Sequence, residues 1–459
     1  MPVPVYDVFD PATLEVVGQA PEHNEADVQE AIDNAKRVAR TWALDRANRR
    51  GTLRRIAEQI RNKAPELGRL LSLEQGKVLF EAIGEFRVAA DLFEYYANLD
   101  WSQTEDLPER DDRSLQVQYR PVGLVGTITP WNFPISLLCV KLAPALVSGC
   151  TVIAKPSATT PLSTMALVDL MNEMLPSGVL QVRTSSRRTV NVALASLPQV
   201  RKISFTGSTE VGTSVAASAA ASVKRVTLEL GGNDPAIILE DADLQATARG
   251  IVGSAFRNAG QVCMAVKRAY VPRRLQSRFT EAVVAEAAKL SVGHGVVEGT
   301  TMGPMHNDKQ RETVRELVGA AVSSGAQIAA GGGAGCDLPG YFMEPTIISG
   351  AQPGMGLVDE EQFGSALPIV AYDDLSEVID HVNDGPFGLG ASIWSPDLDR
   401  ARQVAFEVEA GTVWINQHTV VELDAPFGGW KTSGTGRERG IWGLHEYLEP
   451  RTINVRPHG

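Results

Sequence analysis

The sequence predicts an α/β protein with two doubly wound α/β units and a small separate β segment. Short apolar runs alternate with helical stretches over residues 122–230, and a second alternating set follows over 235–416. Such alternation is typical of βαβ units, whose helices cover both faces of a buried parallel sheet. No Gly/Ser-rich or Pro-rich linker separates the two sets, which indicates interleaved domains.

The first hundred residues read as helical. Residues 24–41 carry apolar residues at helical spacing, and Asn24 or Glu25 occupies the N-cap position. Residues 47–75 predict two further helices, and residues 78–98 predict another.

Near-continuous apolar runs mark the buried strands of both sets. The first set has strands at 122–129, 151–154, 202–205 and 226–230, with helical stretches at 135–148, 162–174 and 211–222. The second set has strands near 235–239, 268–272, 367–371, 390–394 and 412–416.

Two segments fit neither set. Residues 115–120 alternate apolar and polar side chains, which predicts a half-exposed strand. We expect this strand and the tail at 451–455 to pair with each other or with another subunit.

Composition excludes several classes of protein. The formal charge is −12 with no basic stripe, so we expect no nucleic-acid partner. The four cysteines, Cys139, Cys150, Cys263 and Cys336, lack metal-ligand spacing, so we expect no zinc site and a reducing compartment. The start of the chain lacks signal-peptide features, and the apolar run at 135–147 is too short and broken to span a membrane. These observations predict a cytoplasmic protein with no membrane partner.

Cys263 is the strongest candidate for a nucleophile. A lone cysteine is usually a small core residue, but Asn258, Gly260 and Gln261 precede this one and predict a shaped loop that leads onto the thiol. A thiol attacks a carbonyl carbon when it is ionised or has a base nearby.

Glu229 and Asn132 follow predicted buried strands, where open α/β sheets bind ligands. Glu229 either pairs structurally or acts as a base, and Gly231 and Gly232 after it predict a tight turn with a close backbone approach. Asn132 is either a turn residue or a donor to an oxyanion.

Two further strand ends suit a nucleotide. Gly207, Ser208 and Gly212 join a strand to a helix, so that a helix N-terminus can meet a pyrophosphate, although their spacing is not GxGxxG. Lys155 and Ser157 follow another strand and suit sugar hydroxyls or a phosphate.

Taken in order, seven stretches resemble the aldehyde dehydrogenase superfamily from about residue 7 to residue 455. They are residues 130–134 (Pro-Trp-Asn-Phe-Pro), 155–156 (Lys-Pro), 205–212 (Phe-Thr-Gly-Ser-Thr-Glu-Val-Gly), 228–233 (Leu-Glu-Leu-Gly-Gly-Asn), 260–263 (Gly-Gln-Val-Cys), 360–364 (Glu-Glu-Gln-Phe-Gly) and 426–429 (Pro-Phe-Gly-Gly). The interval from Glu229 to Cys263 also follows the family pattern.

The resemblance implies oxidation of an aldehyde to a carboxylic acid with NAD(P). Cys263 would form a thiohemiacetal and then a thioester, and Asn132 with the Cys263 backbone N–H would form the oxyanion hole. Glu229 would activate the water that hydrolyses the thioester, and Lys141 would support proton exit from Glu229.

The resemblance also implies a coenzyme site for NAD or NADP. Lys155 would bind the adenosine ribose, Ser208 and the 207–212 turn the pyrophosphate, and Glu361 and Phe363 the nicotinamide ribose and ring, with Trp131 bordering the nicotinamide. The full predicted set is Ile128, Trp131, Lys155, Ser157, Gly207, Ser208, Gly212, Leu230, Glu361 and Phe363.

The same resemblance implies three regions and a homodimer or homotetramer. Residues 1–98 and 122–231 would form a Rossmann-like NAD(P)-binding domain, and residues 232–432 the catalytic thiol domain. Residues 99–121 and 433–459 would form a β flap for bridging and oligomerisation.

Two departures from the family pattern concern the coenzyme. Ala158 stands where many NAD-selective members have a glutamate that binds the adenosine ribose and repels a 2′-phosphate, which predicts weak discrimination between NAD and NADP. Residues 184–190 (Thr-Ser-Ser-Arg-Arg-Thr-Val) replace a Gly-rich turn on the adenine side. Arg187 and Arg188 there either attract a 2′-phosphate or face water, and the lost glycines could weaken coenzyme binding.

The sequence gives little information about which aldehyde is the substrate. Leu137, Val140, Val262, Met264 and the stretch 417–423 would line a mainly apolar tunnel, with no arginine placed for a carboxylate; His418 is a remote candidate for an additional acid or base. Two other hypotheses stay open: a catalytically silent member, supported only by the 184–190 turn, and a thiol esterase that binds no nicotinamide.

Overall fold

The computed structural model describes residues 3–108, 110, 112–333 and 338–456. Cys336 lies outside the described residues, and so does the end of the predicted 433–459 segment. No helix among the described residues is long and apolar enough to cross a membrane.

The strands, in chain order, account for the predicted apolar runs. The expectation that the chain begins helical is wrong for residues 5–9 and 16–21, which form a hairpin, and the strands at 327–330 and 346–351 of the second sheet were not predicted. The strands are β1 (Val5–Phe9), β2 (Val16–Pro21), β3 (Thr104–Asp106), β4 (Ser114–Pro121), β5 (Leu124–Ile128), β6 (Thr151–Lys155), β7 (Leu180–Val182), β8 (Lys202–Thr206), β9 (Arg225–Glu229), β10 (Asp234–Ile238), β11 (Val266–Pro272), β12 (Gln327–Ala330), β13 (Thr346–Ala351), β14 (Ala366–Tyr372), β15 (Phe387–Gly388), β16 (Gly390–Trp394), β17 (Thr412–Ile415), β18 (Trp430–Lys431), β19 (Gly434–Thr435) and β20 (Leu448–Val455).

The helices cover the faces of the sheets. They are α1 (Glu25–Leu44), α2 (Arg46–Gln75), α3 (Leu79–Asn98), α4 (Pro134–Ser148), α5 (Leu162–Asn172), α6 (Thr189–Ser196), α7 (Thr209–Ala220), α8 (Leu244–Ala255), α9 (Gln276–Ala287), α10 (Asp308–Ser323), α11 (Gly356–Asp359), α12 (Leu375–Asp384), α13 (Leu398–Glu407) and α14 (Gly440–His445).

The first sheet has the order β19-β9-β8-β5-β6-β7. Its strands β5 to β9 pair in parallel, and β19 joins the edge antiparallel to β9. After β5 the chain places β6 on one side and β8 on the other, so the strand order reverses there. A crevice forms at the carboxyl ends of strands at such a reversal, and this is where open α/β sheets bind ligands.

The second sheet has the order β12-β13-β14-β11-β10-β16-β17, parallel except for the edge strand β12. It forms its own core, in which β10, β11, β14 and β16 are buried and α8, α9 and α10 pack against them. A further core joins α2, α3 and α4 to one face of the first sheet, and another joins α1, α6 and α7 to its other face. The predicted pair of doubly wound α/β units is therefore present.

The two segments that fit neither set pair with each other. The β20 strand runs antiparallel to β4 from Leu448↔Pro121 to Val455↔Ser114, and β3 adds a third strand. This confirms the first of the two predicted pairings. The three-stranded sheet of β3, β4 and β20 is called the flap below, and its role in oligomerisation stays a prediction, as do the predicted domain boundaries.

The prediction of two helices over 47–75 is wrong. A single helix, α2, runs through Pro65 to Gly76, where a left-handed residue ends it. Proline costs a helix one hydrogen bond, but the packing of α2 against α3 and α5 holds it together on both sides of Pro65. Asn24 caps α1 through a capping box with Asp27, as one of the predicted alternatives required.

Candidate active site

A cavity of about 540 Å³ brings together three predicted catalytic residues from three separate elements. Asn132 follows β5, Glu229 ends β9, and Cys263 lies in the loop before β11; all three line the cavity. The predicted tunnel residues Leu137, Val140, Val262 and Met264 also line it. Of the stretch 417–423, Thr419 and Val421 do so.

The loop before Cys263 has an unusual backbone. Asn258, Ala259 and Gly260 have φ values of 48°, 56° and 76°, in the left-handed region that is unfavourable for residues other than glycine. A methyl group at Gly260 would overlap the Gly364 carbonyl, and Ser365 Oγ donates to the Ala259 carbonyl at 3.0 Å. Backbone strain of this kind persists only where the surroundings enforce it, and here it aims the thiol into the cavity.

The paired glycines after Glu229 allow the approach that the sequence predicts. A methyl group at Gly232 would overlap the Cys263 carbonyl, and one at Gly231 would meet the Glu361 carboxylate. The turn after β9 and the cysteine loop therefore pack backbone to backbone, which sets the separation of Glu229 and Cys263.

Asn132 is held by a buried network. Its side-chain amide Nδ2 donates to the Gln261 carbonyl at 3.0 Å, and its own carbonyl accepts from Lys77 Nζ at 2.7 Å and from Asn258 Nδ2 at 3.1 Å. The Lys77 ammonium is buried, forms an ion pair with Glu85 and lies 3.7 Å from the centroid of the Phe133 ring. Its anchoring fixes the Asn132 amide beside the cysteine loop.

Glu229 is a buried carboxylate with one oxygen, Oε1, that has no hydrogen-bond partner among the described residues. Burial and the nearby Glu438 carboxylate raise the pKa of Glu229 well above its usual range, and Lys141 opposes the shift. The Lys141 ammonium is buried and paired with Glu438. Lys141 therefore reaches the Glu229 surroundings through Glu438, a residue that the sequence analysis missed.

The surroundings of the Cys263 thiol disfavour its ionised form. Burial and the carboxylates of Glu361, Glu229 and Asp234 raise its pKa to about 12, against the opposing charge of Lys267. Lys267 is itself buried, donates from Nζ to the Gly260 carbonyl at 2.6 Å, and has its pKa lowered to about 8 by burial.

Several predicted coenzyme residues lie along the carboxyl ends of the first sheet. Ile128 in β5 lies in register between Lys155 of β6 and Phe205 of β8. The Gly207 N–H donates to the Glu229 carbonyl, and Ser208 caps the N-terminus of α7. Other members have structural partners: Gly212 packs on Leu230, and Ser157 Oγ contacts Thr159 Oγ1 at 3.1 Å.

The aromatic pair predicted at the nicotinamide end is in contact. Trp131 meets Phe363 edge to face at 5.6 Å between ring centroids and stacks on His306 at 4.5 Å. Burial lowers the pKa of His306 to about 4, and sequence reasoning missed this residue because it belongs to no strand end. Glu361 accepts from the Gly232 N–H at 2.9 Å, and burial raises its pKa to about 7.

The unusual turn at 184–190 is bound to the N-terminal hairpin. Thr184 Oγ1 donates to the Pro21 carbonyl at 2.6 Å, and the hydroxyls of Ser185 and Ser186 donate to the Glu22 carboxylate. Arg187 and Arg188 are exposed, which agrees with the alternative that they face water.

The prediction that no arginine is placed in the tunnel is wrong. Arg257 and Arg439 both line the cavity, and neither forms an ion pair among the described residues. Arg257 follows Phe256, the C-cap of the helix α8, and Arg439 lies at a φ of 68° just after Glu438. The charged run Arg437-Glu438-Arg439 was the available signal, but it falls in a segment that the sequence analysis assigned to bridging.

His418 does not line the cavity. Its ring packs against Trp414, Nε2 contacts the Met264 carbonyl at 3.0 Å, and the same nitrogen lies 3.5 Å from Asp234 Oδ2. Within the described residues no group of three or more His, Cys, Asp or Glu side chains is arranged to hold a metal ion.

Comparison with known proteins places this geometry in a family. The profile of the aldehyde dehydrogenase family matches residues 3–453. A glutarate-semialdehyde dehydrogenase of Pseudomonas putida is 40% identical over 452 residues, covering 98% of this chain and 94% of the relative. A succinate-semialdehyde dehydrogenase of Escherichia coli that is named for NADP(+) is 39% identical, covering 96% and 92%.

Solved structures agree. The crystal structure of betaine aldehyde dehydrogenase from Staphylococcus aureus in complex with NAD+ superposes with a TM-score of 0.95 at 34% identity, covering 98% of this chain and 92% of that one. The chain therefore belongs to the aldehyde dehydrogenase family. It is an NAD(P)-dependent oxidoreductase that acts on aldehydes, and the predicted fold class is confirmed.

Proposed function

We propose that the chain oxidises an aldehyde to a carboxylic acid at the cavity formed by Cys263, Asn132 and Glu229. The observation that carries this proposal is the convergence of a thiol, an amide donor and an unpartnered carboxylate on one cavity of about 540 Å³. A nucleophile, an oxyanion donor and a base are the groups that acyl chemistry through a thioester requires.

In the first half-reaction, the Cys263 sulfur attacks the aldehyde carbon and forms a thiohemiacetal. The Asn132 amide and the Cys263 backbone N–H would hold the oxyanion, and each such donor contributes about 3 kcal/mol. Burial and nearby carboxylates raise the pKa of the thiol, so its proton must pass to a base as the bond forms, and Glu229 on the same cavity would accept it. Ribose hydroxyls that donate to Glu361 would disperse the carboxylate charge that opposes the thiolate most.

The residues at the carboxyl edge of the first sheet fit a nicotinamide coenzyme. The Lys155 ammonium has no hydrogen-bond or ion-pair partner among the described residues. The α7 N-terminus begins at Ser208, after β8, which lies across β5 from β6 at the same edge of the sheet. When bound there, NAD or NADP supplies the acceptor for the aldehyde hydrogen. The remaining predicted contacts are those of Trp131 and Phe363 at the nicotinamide end.

In the second half-reaction, Glu229 takes a proton from water, which attacks the thioester and releases the acid and the Cys263 sulfur. The raised pKa of Glu229 suits a base that works near neutral pH. The buried pair of Lys141 and Glu438 lies next to Glu229 and would carry the proton away from it. Water activation by Glu229 favours hydrolysis over transfer of the acyl group to another acceptor.

For the substrate class we propose a short aldehyde with an anionic far end. Arg257 and Arg439 on the cavity wall lack ion-pair partners among the described residues, and relatives named for glutarate and succinate semialdehydes match the chain over almost its full length. Both arginines are partly buried on the cavity wall, where each could pair with a carboxylate ligand.

The test follows reduced-coenzyme absorbance with NAD and NADP on semialdehydes and on neutral aldehydes of equal length. The wild type should produce reduced coenzyme, and Cys263→Ala should not. Arg257→Met and Arg439→Met should raise KM for semialdehydes about tenfold or more and leave neutral aldehydes within about twofold. Equal effects on both substrate classes would contradict the proposed class.

The sequence also left open a thiol esterase without coenzyme, since Cys263, Asn132 and Glu229 alone could hydrolyse an ester. Membership of the aldehyde dehydrogenase family argues against it, and direct binding of NAD or NADP would exclude it. The flap as an oligomer contact in a homodimer or homotetramer and the domain division at residues 98, 121, 231 and 432 are part of the same proposal. Ala158 taken alone would leave discrimination between NAD and NADP weak.

A further inference from the structure

The carboxyl ends of β6 and β7 place Lys155 next to the unusual 184–190 turn. The two strands pair in parallel up to Ala154↔Val182, and the Arg183 N–H then donates to the Ala154 carbonyl at 2.9 Å. Lys155 follows Ala154, and Thr184 follows Arg183, so both leave the sheet at the same edge.

This turn fixes one carboxylate of the N-terminal hairpin at that edge. Glu22 directly follows β2, and its Oε2 accepts from the Ser186 N–H at 3.1 Å and from Ser186 Oγ at 2.5 Å. Its Oε1 accepts from the Ser185 hydroxyl. Partial burial opposes ionisation of Glu22, but these hydrogen bonds outweigh it and lower its pKa, so the side chain is an anion held in one place.

The negative charge of Glu22 stabilises the protonated form of Lys155. Burial lowers the pKa of Lys155 to about 8, and the charge of Glu22 opposes that shift. At position 158, three residues after Lys155, the chain has only the methyl group of Ala158. The edge therefore holds a lysine and a fixed carboxylate, but the carboxylate comes from the hairpin instead of from the turn after β6.

We propose that Glu22 supplies the carboxylate that position 158 lacks, and that it makes the chain prefer NAD over NADP. A carboxylate at this place accepts hydrogen bonds from the free hydroxyls of an adenosine ribose and repels a 2′-phosphate. The 184–190 turn then has a role: its serines replace glycines in order to hold Glu22.

Two cations oppose this preference, the Lys155 ammonium and the Arg187 guanidinium. Arg187 lies close enough to help lower the pKa of Glu22, and its guanidinium could attract a 2′-phosphate. It is exposed and has no ion pair in the described part of the chain, so water and salt screen it. Glu22 has three hydrogen bonds that fix it, and its effect should dominate.

The inference rests on the proposed function for the coenzyme itself, and fragments of the coenzyme test it without catalysis. Isothermal titration calorimetry would compare adenosine 5′-monophosphate with adenosine 2′,5′-bisphosphate, which differ only in the 2′-phosphate, on the intact protein. The wild type should bind the 2′-phosphorylated fragment more weakly. Glu22→Gln keeps a side chain that can bond to Ser185 and Ser186, and it should improve the ratio of the two affinities about tenfold in favour of the 2′-phosphate.

Two variants serve as controls. Glu25→Gln removes the same charge three residues further on, from an exposed side chain at the start of α1, and should leave the ratio unchanged. Ser186→Ala removes the hydrogen bond from Ser186 Oγ to Glu22 and leaves the one from the Ser186 N–H. It should shift the ratio in the same direction by a smaller factor, which keeps the test available if Glu22→Gln does not fold.

The outcomes are distinguishable. A ratio that Glu22→Gln and Ser186→Ala leave at the wild-type value, with both fragments bound, overturns the role of Glu22 and leaves the proposed function intact. Binding of neither fragment contradicts the coenzyme site and this inference together. A wild type that binds the 2′-phosphorylated fragment more tightly gives the dominant role to Lys155 and Arg187, against the proposal.

Discussion

Replacement of Lys77 by methionine tests whether the buried network behind Asn132 matters for both stability and catalysis. Lys77 is fully buried, pairs with Glu85, and donates to the Asn132 carbonyl at 2.7 Å. Its loss leaves a buried carboxylate without its partner, which costs 3–5 kcal/mol in typical cases, or about 3 kcal/mol here. The lower figure applies because Glu85 Oε2 keeps the N–H groups of Ile135 and Ser136 at the start of α4.

The same change should slow catalysis. The Asn132 carbonyl would keep only the Asn258 amide at 3.1 Å, so the oxyanion donor would lose part of its positioning. An oxyanion donor stabilises the transition state by about 3 kcal/mol, and a misplaced donor loses part of this stabilisation. We therefore expect kcat to fall roughly tenfold to a hundredfold. Thermal unfolding and steady-state reduction of the coenzyme measure the two effects.

Two variants make the result interpretable. Lys63→Met makes the same substitution at an exposed lysine that pairs with Glu66, and should match the wild type in Tm and kcat. Lys77→Met combined with Glu85→Gln removes the stranded charge and should recover much of the lost stability, but not the lost kcat. A Lys77→Met protein with wild-type Tm and kcat would refute the reasoning.

Three further predictions concern the same cavity. Only the ionised form of Glu229 can take a proton from water, so the rate of thioester hydrolysis should rise as the pH passes upward through its raised pKa; single-turnover rates should lose this limb in Glu229→Gln, and an unchanged limb would exclude Glu229 as the base. Glu438→Gln removes a charge that raises this pKa and strands the buried Lys141 ammonium, so the limb should move to lower pH while Tm falls; a limb that stays in place would disconnect Glu438 from the base. Gly260→Ala puts a methyl group against the Gly364 carbonyl at a φ of 76°, and should reduce kcat about tenfold or more; wild-type kcat would show that the cysteine loop needs no left-handed glycine.

Much of the fold could be predicted because the buried strands of a parallel sheet have a recognisable sequence pattern. Strands such as β5 and β6 are buried on both faces, so they appear as near-continuous apolar runs. The single helix α2 could not be predicted, because its continuity through Pro65 depends on packing against α3 and α5, which local sequence does not encode.

Some residues of the site could be predicted from local sequence, and others could not. Cys263, Glu229 and Asn132 lie next to strand ends or in a loop of unusual composition, so local sequence marks them. Glu438 and Lys77 could not be predicted, because Glu438 meets Lys141 across a sequence separation of 297 residues and Lys77 meets Asn132 across 55. Their importance comes from charge in a buried place, and burial is a property of the folded chain.

The arginines on the cavity wall show the limit most clearly. Arg257 and Arg439 come from the end of α8 and from the segment before α14, and only the fold brings them to one cavity. The contact between Glu22 and Ser186 is a similar case, because 164 positions separate the two residues in the sequence.

The most direct test of the central claim is the intact mass of Glu229→Gln after one turnover with a semialdehyde and excess coenzyme. If Cys263 forms a thioester that Glu229 is needed to hydrolyse, the protein should gain the mass of the acyl group while one equivalent of reduced coenzyme appears, and a variant that also carries Cys263→Ala should show neither. Reduced coenzyme without an adduct on Glu229→Gln, or an adduct that persists on Cys263→Ala, would contradict the account.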